Sequence, residues 1–133
     1  MPTEFPLSER QTRVGLLSDP RITVHVRTRW GYQAYRFLVD TGADLSVIPR
    51  AMADDLEIDL TRCAEDRYVG IEGRPVTVHQ ATIDVRIGLI DLSLRCLISP
   101  SDAIPFLLGR ADVFSRFSIT FDNRRKRITF FEI

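Results

Sequence analysis

The chain has 133 residues, of which 44% are apolar and 27% charged, and its 18 Lys and Arg balance 18 Asp and Glu. That composition suits one globular domain, able to bury roughly two-thirds of its unfolded surface without disulfides, and excludes collagen-like, low-complexity and disordered classes. A formal charge of zero argues against a nucleic-acid partner, which a basic excess would mark, and favours self-association.

Met1 to Pro20 mixes polar, charged and Pro residues and has no apolar core of a signal peptide. Residues 1–13 are expected to form a flexible or strand-adding arm, and residues 1–19 as a whole an arm or a cleavable pro-segment ahead of a domain spanning 20–133. The longest run free of Asp, Glu, Lys and Arg is Pro75 to Ile83, far short of the ~18–20 residues that cross a bilayer. No membrane partner is expected.

From Ile22 the pattern has period two: Ile22, Val24 and Val26 face one way, and Thr23, His25 and Arg27 the other. Trp30-Gly31-Tyr32 punctuates, and Ala34 to Val39 resumes, so 22–39 reads as a hairpin. A short helix is expected over Pro49 to Leu56, with Pro in the first turn. Residues 60–67 read as a polar loop, and Tyr68 to Pro75, with two glycines and a final Pro, as a turn. Along Val76 to Ile87 the apolar phase shifts from Val76 and Val78 to Ala81, Ile83, Val85 and Ile87, which predicts a bulge near His79-Gln80. Ile90, Leu92, Leu94, Cys96 and Ile98 form a clean alternating strand. Phe106-Leu107-Leu108 precedes Gly109-Arg110 and a short helix expected around Ala111 to Phe117. Ser118 to Phe121 and Arg127 to Ile133 form a last hairpin, with Arg124-Arg125-Lys126-Arg127 as its solvated tip. Many short strands and two short helices indicate a mostly-β barrel or sandwich.

Cys63 and Cys96 form no CxxC pair, and the chain has only 2 His. Structural zinc is not expected, and neither is any other metal or cofactor. Both cysteines read as free thiols in a reducing, cytoplasmic compartment, with Cys96 buried.

The segment that carries chemistry is Phe37-Leu38-Val39-Asp40-Thr41-Gly42-Ala43-Asp44: an apolar strand empties into a small-residue turn that begins with a carboxylate. Gly42 allows close backbone approach, and turn N–H groups can hold Asp40 in place. Taken alone, an Asp followed closely by Gly is often only a turn or a helix cap. Phosphate-binding folds also place Asp-x-Gly at a strand end, but they need a longer α/β chain with further phosphate loops.

Three landmarks in order resemble the retropepsin-like aspartic proteases, the retroviral proteases with their cellular and bacterial relatives. Leu38 to Asp44 matches the catalytic loop in its viral form, with Ala43 where pepsin-type enzymes usually carry Ser. Val69-Gly70-Ile71-Glu72-Gly73 resembles the Gly-rich tip of the flap hairpin. Phe106-Leu107-Leu108-Gly109-Arg110 resembles the apolar-apolar-Gly signature before the family's helix. The resemblance covers roughly residues 20–131. It implies a single-lobe acid-protease fold, a closed β-barrel with a flap hairpin and one or two short helices.

Aspartic peptidases use two carboxylates that share one proton, because like charges ~3 Å apart cannot both ionise. This chain has one Asp-Thr-Gly, so the resemblance implies a homodimer in which each copy supplies Asp40. It also implies aspartic-type endopeptidase activity on polypeptide substrates. By resemblance, Thr41 bonds across the two-fold, Gly42 offers its carbonyl to substrate, and Asp44 and Arg110 form an ion pair that ties the loop to the helix. Gly70 to Gly73 closes over substrate, and Val47, Ile71 and Ile104 are candidate pocket residues. Ala43 withholds a hydroxyl from the acid pair, so activity is expected at mildly acidic to near-neutral pH. Two features depart from the viral pattern: Glu72 replaces a usual flap Gly, and the tail runs on to Ile133, as in non-viral members whose last strands build the dimer sheet. The competing reading is a catalytically silent peptide-binding or dimerisation module with the same fold.

Overall fold

The computed structural model describes residues 2–69 and 73–133. Three strands come first: β1 (Thr3–Pro6), β2 (Ser8–Thr12) and β3 (Gly15–Asp19). β2 and β3 form a hairpin of their own, while β1 pairs antiparallel with the last strand of the chain. Of the two forms expected for the N-terminal arm, β1 takes the strand-adding one.

β4 (Arg21–Thr28) and β5 (Gly31–Val39) follow the alternation read from the sequence. Ile22, Val24 and Val26 are fully buried, and His25 and Arg27 lie exposed on the other face. Between them Gly31 sits at φ +90°, a left-handed conformation that favours glycine. β6 (Ser46–Ile48) follows the Asp-Thr-Gly turn, and α1 (Met52–Asp55) and a 3-10 turn over Leu60–Arg62 are the only helical segments among the described residues. β7 (Glu65–Val69), β8 (Pro75–Ile87), β9 (Ile90–Ile98) and β10 (Phe106–Leu108) complete the central sheet.

Six strands close into a barrel in the order β4-β5-β10-β6-β9-β8, and β8 returns to β4 through His25↔Arg86 and Val26↔Val85. Closure leaves these strands few free edges. Of the seven strands of this sheet, only β7 stands outside the ring, paired to the outer half of β8 as a hairpin arm. Phe37, Ile48, Val85, Ile87, Leu94, Ile98 and Leu108 fill the interior and are almost fully shielded. Each such side chain contributes about 1.5–3 kcal/mol relative to exposure.

The ends of the chain build a second layer. β11 (Phe117–Asp122) and β12 (Arg127–Glu132) form the expected hairpin, and β1 adds to it in the order β1-β12-β11. Ile128 and Phe130 are buried beneath it, and Phe130 meets Phe5 and Phe117 edge-on at 5.5 and 5.4 Å. Leu7 joins the same core, and its N–H donates to the Lys126 carbonyl at 2.9 Å. The basic hairpin tip is more than a solvated face: Lys126 reaches Glu9 at 2.7 Å, and Arg127 reaches Glu4 at 2.6 Å. These two cations fasten the N-terminal arm to the C-terminal hairpin.

Three local expectations are corrected. No helix forms over Ala111 to Phe117; the segment is a run of turns, and Asp112 at φ +68° breaks the helical path. No bulge interrupts β8, because its register with β9 runs without a slip from His79↔Ile98 to Ile87↔Ile90. The phase shift instead marks the point where β8 leaves the barrel and pairs with β7, so that a different face is covered. The supposed loop over 60–67 contains the 3-10 turn and the start of β7, whose residues are all exposed and so leave no apolar alternation.

Cys63 and Cys96 are both free thiols. Cys96 pairs with Ala81 on one side of β8, and Cys63 immediately precedes Ala64, whose carbonyl bonds Gln80 on the other side. A strand therefore separates them. Burial, with a smaller contribution from Cys63, pushes the Cys96 thiol up to about 12, so it stays protonated and unreactive near neutrality. A thiol reagent at neutral pH should label Cys63 alone in the folded protein and both cysteines after denaturation. Equal labelling rates in the native state would contradict this burial.

Candidate active site

The Asp-Thr-Gly turn sits where β5 leaves the barrel. The Val39 N–H donates to the Pro20 carbonyl at 3.0 Å, and the Asp40 N–H to the Leu108 carbonyl at 2.9 Å. Parallel pairing of β10 with β5 brings Leu108 there, with Phe106↔Phe37, Leu107↔Leu38 and Leu108↔Val39 in register. Two sequence landmarks far apart in the chain, Leu38-Val39-Asp40 and Leu107-Leu108-Gly109, are thus neighbours in the sheet.

Past Asp40 the backbone folds over its own carboxylate. The Gly42 N–H donates to Asp40 Oδ1 at 2.9 Å, and the Ala43 N–H to the Asp40 carbonyl at 3.3 Å. A Cβ on Gly42 would lie 3.3 Å from Asp40 Oδ1, a close contact that would press on the carboxylate by a few tenths of an ångström. Asp40 is half-buried, while Thr41 and Gly42 are exposed at the loop's apex.

The far side of the loop is fastened by the segment that follows β10. The Arg110 N–H donates to the Ala43 carbonyl at 2.9 Å, and the Ala111 N–H to the Asp44 carbonyl at 2.8 Å. The Gly109 N–H donates to the Oγ of fully buried Ser46 at 2.9 Å. The Arg110 guanidinium meets the Asp44 carboxylate through one N–H rather than a two-pronged fork. Both side chains are exposed, at 51% and 84%, and an ion pair so wetted contributes at most about 1 kcal/mol. The backbone bonds therefore hold the loop more firmly than the ion pair does.

Just beyond, the Asp112 carboxylate accepts three donors from β9: the Arg95 N–H at 2.8 Å, Nε at 3.0 Å and Nη2 at 3.1 Å. The Arg95 side chain is the main cause that holds Asp112 below the usual carboxylate range, with the backbone bond adding to it. A carboxyl lowered in the folded state contributes stability above its unfolded value of about 3.9, and loses it as pH falls through the folded value. The pair therefore stays ionised in mild acid.

Val69 ends β7, 69% exposed and opposite Pro75, and Gly73 follows at φ +76°. The expected tip residues Gly70, Ile71 and Glu72 lie outside the described residues. Of the candidate pocket residues, Val47 is half-buried on β6 opposite Leu107, and Ile104 is half-buried just ahead of β10. Sequence reasoning missed Ser46, Pro20 and Asp112. The only local hint was the small polar residue Ser46 set between apolar neighbours. Among the described residues no cluster of His, Cys, Asp and Glu is suited to a metal ion, and no helix is long and apolar enough to cross a membrane.

Comparison with known proteins agrees with this geometry. The family profile described as Aspartyl protease matches residues 23–111, a span that includes the Asp40 turn, the hairpin arm and the Gly109-Arg110 clamp. A retropepsin-like aspartic protease from Rickettsia conorii superimposes with a TM-score of 0.67 at 20% identity, over 98% of this chain and 91% of that one. The EIAV protease, solved with the inhibitor HBY-793, superimposes with a TM-score of 0.56 at 22% identity, over 73% of this chain and 86% of that one. No curated protein sequence matches. The barrel and its matched segment make this chain a member of the aspartyl protease family, with a retropepsin-like fold.

Proposed function

We propose that the chain is an aspartic endopeptidase that works as a homodimer, with one Asp40 from each copy forming the acid pair. The observation that carries this reading is the Asp40 turn: a half-buried carboxylate at a strand end, gripped by the Gly42 N–H, in a loop whose apex is exposed. General acid–base hydrolysis needs two carboxylates sharing a proton, one to take a proton from water and one to polarise the scissile carbonyl. Asp44, the other acid of the loop, is already engaged by Arg110. The second carboxylate then comes from a twin on a two-fold axis.

In this reading the exposed Thr41 bonds to its counterpart across the axis, and the Gly42 carbonyl meets substrate backbone. Asp44 and Arg110 brace the loop, and the β7–β8 hairpin with Val69 and Gly73, together with Gly70, Ile71 and Glu72, acts as the flap. Substrate lies as an extended strand beneath it, held by backbone hydrogen bonds with alternate side chains in pockets, where Val47, Ile71 and Ile104 are the candidate walls. The N-terminal residues belong to the working domain rather than to a discarded pro-segment, since cutting them away would strip β1 from β12 and uncover Leu7.

Subunit mixing tests the shared site. Wild-type protein combined with a large excess of Asp40→Asn copies should lose hydrolysis as mixed dimers form, and sedimentation should report a dimer. Activity proportional to wild-type chains alone, or a monomer that cleaves peptides, would overturn the reading.

A further inference from the structure

The turns over residues 110–116 stand where a helix was expected, and the residue that breaks the helix is also the one bound to β9. Asp112 sits at φ +68°, a region that non-glycine residues seldom occupy and that Asp and Asn tolerate best. Its carboxylate is fixed there by both the backbone and the guanidinium of Arg95, a geometry far more directional than a single surface ion pair. Arg95 directly precedes Cys96, whose partner across the β6–β9 pairing is Ser46. Ser46 in turn accepts the Gly109 N–H.

Residues 109–112 are thus anchored at both ends, by Ser46 at Gly109 and by Arg95 at Asp112. Between the anchors, the Arg110 and Ala111 N–H groups hold the carbonyls of Ala43 and Asp44. The anchored segment is only four residues long, so releasing one end frees the two N–H groups that grip the loop.

We propose that Asp112 is a positioning residue for peptide hydrolysis: by locking the turn after β10 to Arg95 of β9, it sets the height and tilt of the Asp40 loop. The inference rests on the reading of Asp40 as the catalytic carboxylate, but the clamp itself has a physical signature that needs no catalysis. Asp112 acts through Arg110 and Ala111 and does not touch the reacting atoms.

Asp112→Gly is the informative variant, because glycine keeps the left-handed backbone and removes only the carboxylate. Asp112→Asn keeps the backbone preference and an acceptor for the Arg95 N–H, but lacks the charge. Amide hydrogen exchange, measured in an Asp40→Asn background to keep it independent of activity, should quicken on the order of tenfold at Arg110 and Ala111 in Asp112→Gly, with the amides of β4 unchanged. In the active protein, Asp112→Gly should lower kcat on the order of tenfold or more with little change in KM, and Asp112→Asn should restore most of it.

Unchanged exchange at Arg110 and Ala111 overturns the clamp. A lower melting temperature with kcat per folded dimer intact also overturns it, since that outcome belongs to a purely structural staple. A wild-type protein that hydrolyses no peptide would remove the reading of Asp40, while the exchange result would still decide the clamp.

Discussion

Asp40→Asn should abolish peptide hydrolysis while leaving the fold in place. The exchange is nearly isosteric, and an Asn Oδ1 still accepts the Gly42 N–H that now binds Asp40 Oδ1 at 2.9 Å. Folding stability should change by no more than about 0.5 kcal/mol, as for substitutions that break no buried network. The chemical loss is of another order. General acid–base catalysis supplies about 10²–10⁴ in rate, and in the proposed homodimer this one substitution would remove both members of the pair, because each copy carries it. The expected kcat/KM is indistinguishable from background, measured on a fluorogenic peptide with the variant's melting curve recorded beside it. Hydrolysis that persists in the pure variant would end the catalytic assignment. A melting temperature far below wild type would show instead that Asp40 is a structural cap on β5.

The parts of this architecture that were legible in advance are those in which burial is imposed one residue at a time. β4 and β9 alternate cleanly because each has one face on the barrel interior: Val24, Val26, Leu92 and Leu94 point in, and His25, Arg27, Asp91 and Ser93 point out. The Asp40 loop could be located because its composition is unusual, an apolar strand broken at once by Asp-Thr-Gly. β7 was missed for the opposite reason. It pairs only with the outer half of β8 and buries nothing, so backbone hydrogen bonds alone define it and no side-chain pattern records them.

The absent helix teaches a different lesson. Ala111-Asp112-Val113-Phe114 buries Val113, but only Ala111 is a strong helix former, and Asp, Val and Phe give a helix little local support. The conformation is decided by Arg95, which is distant in sequence and holds Asp112 in a left-handed state through three hydrogen bonds. Weak propensities of a few tenths of a kcal/mol per residue do not override a carboxylate held in place by the backbone N–H and the guanidinium of one residue. The ion pair of Asp44 and Arg110, expected from the resemblance, is more exposed than its assigned role suggests, while the neutral contact between Ser46 and Gly109 left no sequence pattern.

That neutral contact sets up the second large effect, from Gly109→Ala. A Cβ at position 109 would lie 2.5 Å from the Leu45 carbonyl carbon, 2.6 Å from its oxygen and 2.9 Å from the Ser46 nitrogen. All three are backbone atoms where the Asp40 loop passes into β6, so no side-chain rotation relieves the clash. Either β10 or the Leu45-Ser46 backbone must move, and the movement breaks the buried bond from Gly109 N–H to Ser46 Oγ. Overpacking costs about 1–3 kcal/mol, and an orphaned buried donor about the same. A loss of about 3 kcal/mol is expected, seen as a fall in melting temperature on the order of 10 °C. Ser46→Ala removes the hydrogen bond without the clash and should cost about 1–2 kcal/mol. Arg110→Ala breaks only an exposed ion pair and should cost at most about 1 kcal/mol. This ranking, with Gly109→Ala the worst and Arg110→Ala the mildest in thermal melts, separates a site held by close backbone packing from one held by charge. If Arg110→Ala proved the most damaging of the three, the loop's support would be electrostatic, and the tight seat of Gly109 on Leu45 would count for little.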